Sequence, residues 1–340
     1  MKRSSTIHAI HQRGFTLVEL MVAITIGLFL VGAVSTLFVN TRGSFDYASE
    51  LARIQETGRF ALSTIARDVR MAGYNGCGLG INNTANVVNG GTSNPLLDFQ
   101  TPIRGYEASA APASIQTPSG DRPINGTDVI ILIGVDTSNE LVVKAHNPVA
   151  AQIDTNIHSV KPGEILLITD CSKASLFQVT GPTNTNNNAT NVVHNTGTGT
   201  PGNCYKTLGA SCGAGSTTYT YKPGSSLLRV SSNAYFIANS SLGDGTRALW
   251  SMQLEGSTNG GSIARELLVG VYDMQIQYGI GSNNSTTSFV SDAGTIGDWS
   301  QVRSINLSLS IRSARTNISS NRSHLEKVFS ETIVARNRTL

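Results

Sequence analysis

A carboxylate five residues into an apolar run, and a glycine just ahead of that run, are the features of this 340-residue chain whose types and spacing point to chemistry. In "HQRGFTLVELMVAITIGLFLVGAVSTLFVNTRG" (residues 11–43), no Asp, Glu, Lys or Arg stands between Leu20 and Thr41. That is about the length a helix needs to cross the hydrocarbon core. A charge at its centre costs about 2.5–3.5 kcal/mol. Glu19 therefore either sits at the membrane boundary with its carboxylate in water or awaits a positive partner. Lys2, Arg3 and Arg13 precede the run with no acid among them, so the leader is expected to stay cytoplasmic. A secretory signal peptide would carry a small-residue cleavage site after the apolar region. None stands around Val39 to Ser49; the small, flexible residue open to a protease is Gly14, before the run.

Other constellations fall short of a site. The "GTGTPG" of residues 197–202 fits G-x-G-x-x-G, but it reads as lacking a preceding strand, holds Pro201 and lies in an Asn/Thr loop. No Walker A sequence, H-E-x-x-H or C-x-x-C occurs. His146, His158, His194 and His324 are scattered singly, so no zinc, other metal or cofactor is expected, nor any catalytic residue. Asp292 and Asp298 lack EF-hand spacing and read as turn residues. Lys2, Arg3 and Arg13 supply as much charge as the formal net of +3, so a chain cut after Gly14 is neutral. Bulk electrostatics then give no reason to bind nucleic acid. Arg303 to Leu340 holds seven Lys or Arg against two Glu, which reads as the solvated face of strands.

"RGFTLVELMVAITI" resembles the processing signature of type IV prepilins and type II secretion pseudopilins. The resemblance implies cleavage by a prepilin peptidase between Gly14 and Phe15, with N-methylation of Phe15. It also gives Glu19 a partner: the terminal ammonium of a neighbouring subunit inside an apolar filament core, where an unpaired charge is costly. Further on, "QETGRFALSTIARDVRMAGYNGC", "GTDVIILIGVD", "LLITDCSKASLFQVT", "LLVGVYDMQIQYGI" and "IVARNR" fall in the order of the PilW family of minor pilins. That family has a head similar to the J-type pseudopilin. It implies a low-abundance subunit near the tip of a type IV pilus, acting with other minor pilins and the major pilin to prime assembly and present a tip adhesin. Such a subunit is held in the inner membrane with its head periplasmic until it joins the surface filament. The alternatives are a type II secretion pseudopilin, or an uncleaved membrane-anchored periplasmic binding protein or enzyme.

The elements that must position these residues begin with one helix. After Gly43, apolar residues at Leu51, Ile54, Ala61, Leu62, Ile65 and Val69 recur at three and four, one helical face. Gly58 lies on that face and invites close approach; Gly73 and Gly76 end the helix. If unbroken from Phe15 to Ala72, it is about 85 Å long. Beyond it, 127–136, 164–170 and 176–180 are short branched-aliphatic strands. In "SINLSLSIRS", Ile305, Leu307, Leu309 and Ile311 alternate with polar residues, a half-buried strand, and 328–336 is its antiparallel partner. Residues 266–280 read as a strand from about Val271. Residues 181–203 and 279–288 read as polar loops without a core. The expected fold is α+β and pilin-like, with a long N-terminal helix on antiparallel sheets. Its parts are a leader (1–14), a transmembrane and filament-core helix (15–41), an amphipathic stalk (42–74) and an extracytoplasmic head (75–340).

Cys77, Cys171, Cys204 and Cys212 all lie beyond the apolar run, and sequence alone leaves three pairings open. A 204–212 bridge would close a short loop with little else to hold it, and a 77–171 bridge would tie stalk to head. The resemblance implies the same pairing, since "GYNGC" and "TDC" belong to the family pattern.

Overall fold

A computed structural model describes residues 16–77, 84–91, 93–182, 188–254, 262–281, 286–316 and 323–338. The chain forms two compact units, one of residues up to Ala52 with Arg315–Leu325, the other of Arg53–Ala314 with Glu326–Leu340. Helix α1 (Leu17–Met71) runs unbroken for 55 residues. Its first part carries the apolar run. In its second part Ile54, Ala61, Leu62, Ile65, Ala66 and Val69 are buried, the stripe the three-and-four spacing predicts.

In the larger unit the strands follow as β1 (Thr84–Asn86), β2 (Ile103–Glu107), β3 (Asp128–Asn147), β4 (Gln152–His158), β5 (Ile165–Thr169), β6 (Ala174–Gln178) and β7 (Ala189–Val193). Then come β8 (Ser226–Asn239), β9 (Arg247–Leu254), β10 (Ser262–Val269), β11 (Val271–Ile280), β12 (Ser288–Val290), β13 (Val302–Arg312) and β14 (Glu326–Val334). The larger sheet runs β1-β6-β5-β8-β3-β4-β7, with β2 added to β3 and the β9–β10 hairpin added to β8. All its pairs are antiparallel except β1 with β6. The smaller sheet is β12-β11-β13-β14, antiparallel throughout.

Strand β5 explains the apolar run of 164–170. Ile165 and Leu167 enter one core cluster with Val129, Ile131 and Phe236, while Leu166 and Ile168 enter another with Phe177, Val192 and Tyr221. A strand buried on both faces has no polar side to alternate with. Strand β13 is the opposite case: Ile305, Leu307, Leu309 and Ile311 are buried while Asn306, Ser308, Ser310 and Arg312 are half-exposed. Its partner β14 pairs in continuous register, Ser308 opposite Ser330.

Two expected loops are corrected. Residues 181–203 contain β7, whose Val192 is fully buried. The 279–288 stretch begins within β11, which ends at Ile280, and ends at Ser288, the start of β12, while 282–285 lie outside the described residues. The 266–280 stretch is two strands parted by Gly270 at φ +90°, a turn its neighbours could not make without strain.

The second part of α1 is fixed by polar contacts as well as by its stripe. Asp68 accepts hydrogen bonds from Asn233 Nδ2 and the Tyr235 hydroxyl, both 2.7 Å. Arg70 pairs with Glu331 of β14 at 3.1 Å. Helix termination falls where the glycines predict. Gly73 takes φ +77° and donates to Ile133 O at 2.8 Å, and Asn337 Nδ2 donates to Arg70 O and Ala72 O at 3.2 and 3.4 Å.

Candidate functional site

Gly14 and Phe15 lie outside the described residues, and Thr16 and Glu19 open α1. The Thr16 amide and hydroxyl each donate to Glu19 Oε2 at 3.0 Å, and the Glu19 amide donates to Thr16 Oγ1 at 3.3 Å. This reciprocal set is a capping box, which satisfies two orphan donors at the helix start and sets a negative charge against the positive end of its dipole. Sequence reading gave Glu19 a membrane-boundary or intermolecular role and missed this local one. The signal was available as Thr-x-x-Glu before an apolar run.

Between Leu20 and Val39 the helix is exposed on every side. Leu20, Met21, Ile24, Leu28, Phe29, Leu37 and Phe38 are all more than half exposed. The hydroxyls of Thr25 and Thr36 are turned back onto helix carbonyls, Thr25 to Met21 and Val22 and Thr36 to Gly32, at 2.9–3.1 Å. An apolar helix whose hydroxyls are satisfied within itself suits hydrocarbon or the flank of another such helix. It is long and apolar enough to cross a membrane.

Residues 234–338 match the family model described as Type IV Pilus-assembly protein W, and residues 10–35 match the Prokaryotic N-terminal methylation motif. Both matches cover parts of the chain and are consistent with a PilW-family pilin that carries a prepilin signal. No curated protein and no solved structure matches the chain. The family is one of pilus structure and assembly rather than of enzymes. That family implies interaction with other pilins and with the prepilin processing machinery, and the motif with its apolar helix supports membrane anchoring and pilus association.

The cysteines of this chain are joined in two bridges. Cys77 bonds Cys171, 94 residues on, and Cys204 bonds Cys212. The first links the segment after α1 to the β5–β6 turn, where Cys171 has φ +66° and Asp170 accepts from Ser172 N and Lys173 N. The 204–212 loop is better held than its composition suggests: Leu208 is fully buried, its carbonyl accepts from Ser175 Oγ at 2.8 Å, and Cys204 N donates to Val87 O.

The enzyme-like motifs resolve into architecture. A strand, β7, does precede "GTGTPG", contrary to expectation, but no helix follows it. The Gly202 amide is taken by Gln178 Oε1 at 2.7 Å. Asp292 and Asp298 each cap a 3-10 turn through Gly294 N and Ser300 N. The fold does bring two scattered histidines together: the rings of His146 and His194 stand 5.4 Å apart, beside Phe177 and Tyr221. His146 Nδ1 accepts the Tyr221 amide at 3.1 Å, so its neutral ring carries the proton on Nε2 and offers no lone pair to a metal. A cleft of about 570 Å³ between the end of α1 and strands β3 and β8 is lined by Asp68, already held by Asn233 and Tyr235, and by Asp136, which accepts from Ser138.

Proposed function

We propose that this chain is a minor pilin, cut between Gly14 and Phe15, N-methylated at Phe15 and built into a type IV pilus near its tip. There it joins other minor pilins and the major pilin and supports display of a tip adhesin. The observation that carries the reading is the exposed helix from Leu17 to Val39, charged only at Glu19. Such a surface is stable in lipid or among like helices, and transfer from one to the other is what pilus assembly requires. Glu19 Oε2 takes both Thr16 bonds, and Oε1 is the oxygen offered to the terminal ammonium of a neighbour. An unpaired carboxylate in a filament core would be strongly destabilising, so the pair rewards correct axial register.

In this reading residues 1–14 are the leader, 15–41 the anchor and filament-core helix, 42–74 the stalk and 75–340 the head. Before assembly the chain crosses the inner membrane once, with Lys2, Arg3 and Arg13 cytoplasmic and the head periplasmic, where the two disulfides belong. Mass analysis of the mature amino terminus tests it. A start at N-methyl-Phe15 is expected, and an intact Met1 terminus would indicate an uncleaved anchor instead. The neighbouring genes then separate a pilus subunit from a type II secretion pseudopilin.

A further inference from the structure

Strands β3 and β4 break their pairing at neighbouring places, and a cleft opens between the breaks. Asp136 of β3 lies opposite Arg229 of β8, and pairing resumes only at Leu141 opposite Leu227. Residues 137–140 thus stand against Leu228 alone. Asp154 of β4 lies opposite Asn191 of β7 and His158 opposite Ala189, so 155–157 stand against Thr190 alone. Bulges of this kind re-aim side chains and gather beside functional sites. The cleft holds about 420 Å³, within the range of small-ligand sites, and is lined by 138–141, 156–160 and Arg229. Its floor is structural. Val160 N donates to His158 Nδ1 at 3.2 Å, so the ring proton sits on Nε2 and goes to Asn191 O at 3.1 Å.

The planar groups around that floor are each fixed by one bond and keep further capacity. Asn156 Oδ1 accepts Val142 N at 3.0 Å, standing in for a ladder carbonyl, and its Nδ2 bonds no described residue. Arg229 Nε is held by Glu164 at 2.6 Å, and its two terminal NH2 groups bond no described residue. Asn139 Nδ2 donates to Ser138 Oγ at 3.2 Å, which leaves Oδ1; Glu140 takes the Ser226 hydroxyl on Oε1, which leaves Oε2. Donors and acceptors therefore remain side by side, with the Ser159 hydroxyl able to serve as either. Charge narrows the ligand. Arg229 is matched by Glu164, and Glu140 has no ion pair among the described residues, so an anion gains nothing here. Among the described residues no three His, Cys, Asp or Glu gather to hold a metal. We propose that this cleft binds a neutral saccharide. Each ring hydroxyl both donates and accepts, which is the mixture these side chains leave open. Ile157, 64% exposed, offers an apolar surface to the C–H face of the sugar.

The test uses the full chain in a detergent without a sugar headgroup, since such a headgroup would compete. The chain is screened on an array of neutral, carboxylated and amino oligosaccharides, and a neutral sugar that binds is titrated by calorimetry. Binding of a neutral sugar is expected. Asn139→Ala and Ile157→Ser, both at exposed positions, should each weaken it about three- to tenfold with Tm unchanged. Asn156→Asp keeps the acceptor that Val142 N needs and removes the NH2 donor, so it should weaken binding at least as much. The two exposed variants decide the matter if Asn156→Asp does not fold. An array on which no neutral sugar binds would overturn the site, as would neutral-sugar binding that every variant leaves intact. Binding confined to amino sugars or to carboxylated sugars would overturn the argument from charge, and the proposal with it.

Discussion

Gly58 of α1 lies under the ring of Phe329 of β14: a methyl group on Gly58 would stand 2.6 Å from Phe329 Cδ2 and 2.7 Å from Cε2. Two effects oppose each other in Gly58→Ala. Helix propensity favours alanine by about 1 kcal/mol, while a methyl forced into a packed ring costs about 1–3 kcal/mol. The ring also carries Lys327 at 5.6 Å, and Glu331 two residues on pairs with Arg70, so its position is braced. The clash should win. Gly58→Ala is expected to lower the urea midpoint, and Phe329→Ala should relieve it in the double variant. A Gly58→Ala variant more stable than wild type would mean the ring swings aside.

The two disulfides should differ in worth. Cys77–Cys171 closes a loop over a separation of 94 residues, and Cys204–Cys212 over 8. Chain entropy assigns about 4–5 kcal/mol to the first and 2–3 kcal/mol to the second. Replacing Cys77 and Cys171 with serine should therefore depress the denaturant midpoint more than replacing Cys204 and Cys212. Non-reducing peptide maps of the wild type supply the pairing itself. A peptide joining Cys77 to Cys204 or Cys212 would contradict it.

Acid should weaken the protein through its histidine pair. Burial pushes His146 down to about 4 and His194 to about 3, the second helped by the first. Unfolded, both would take a proton near 6.5, so stability is lost as pH falls from there through about 4. His194 is fully buried and neither ring nitrogen has a partner, so His194→Phe gives up no side-chain hydrogen bond. It should unfold at higher temperature than wild type at pH 5 and show a smaller gain at pH 8. Equal gains at both would remove protonation as the cause.

Legibility in the sequence followed the number of faces an element buries. Helix α1 was readable because Ile54, Ala61, Leu62, Ile65 and Val69 mark one stripe, and β13 because polar residues alternate with Ile305, Leu307, Leu309 and Ile311. Strand β8 was not read at all. Leu227 and Leu228 face different clusters and Ser231 and Ser232 interrupt its middle, so neither a strand period nor a clean apolar run survives. Strand β7 was hidden for another reason: its Asn/Thr surroundings have loop composition, and Val192 alone is buried. At the amino terminus Glu19 stood out by its charge, whereas its bond to Thr16 needed the capping pattern. The meeting of His146 with His194, and the bulges of β3 against β8 and of β4 against β7, depend on strand pairing across tens of residues, which spacing along the chain does not encode.

Glu19 has an observed role as part of the helix cap and a proposed one in assembly, and one substitution can separate them. As a cap it needs an acceptor for the Thr16 amide, now 3.0 Å from Oε2, and losing such a cap costs about 1 kcal/mol of helix stability. As an assembly partner it needs a negative charge. Glutamine keeps an acceptor of the same length and removes the charge; alanine removes both. If the charge matters, Glu19→Gln and Glu19→Ala should both be cut after Gly14 yet fail alike to enter filaments, accumulating in membranes. If only the cap matters, Glu19→Gln should assemble like wild type and Glu19→Ala should not. Gly14→Val, by contrast, should leave a full-length membrane-bound precursor, because a branched side chain replaces the one small residue at the cut. Immunoblots of sheared pili against membrane fractions read all three, and normal incorporation of Glu19→Gln would end the charge-pair reading.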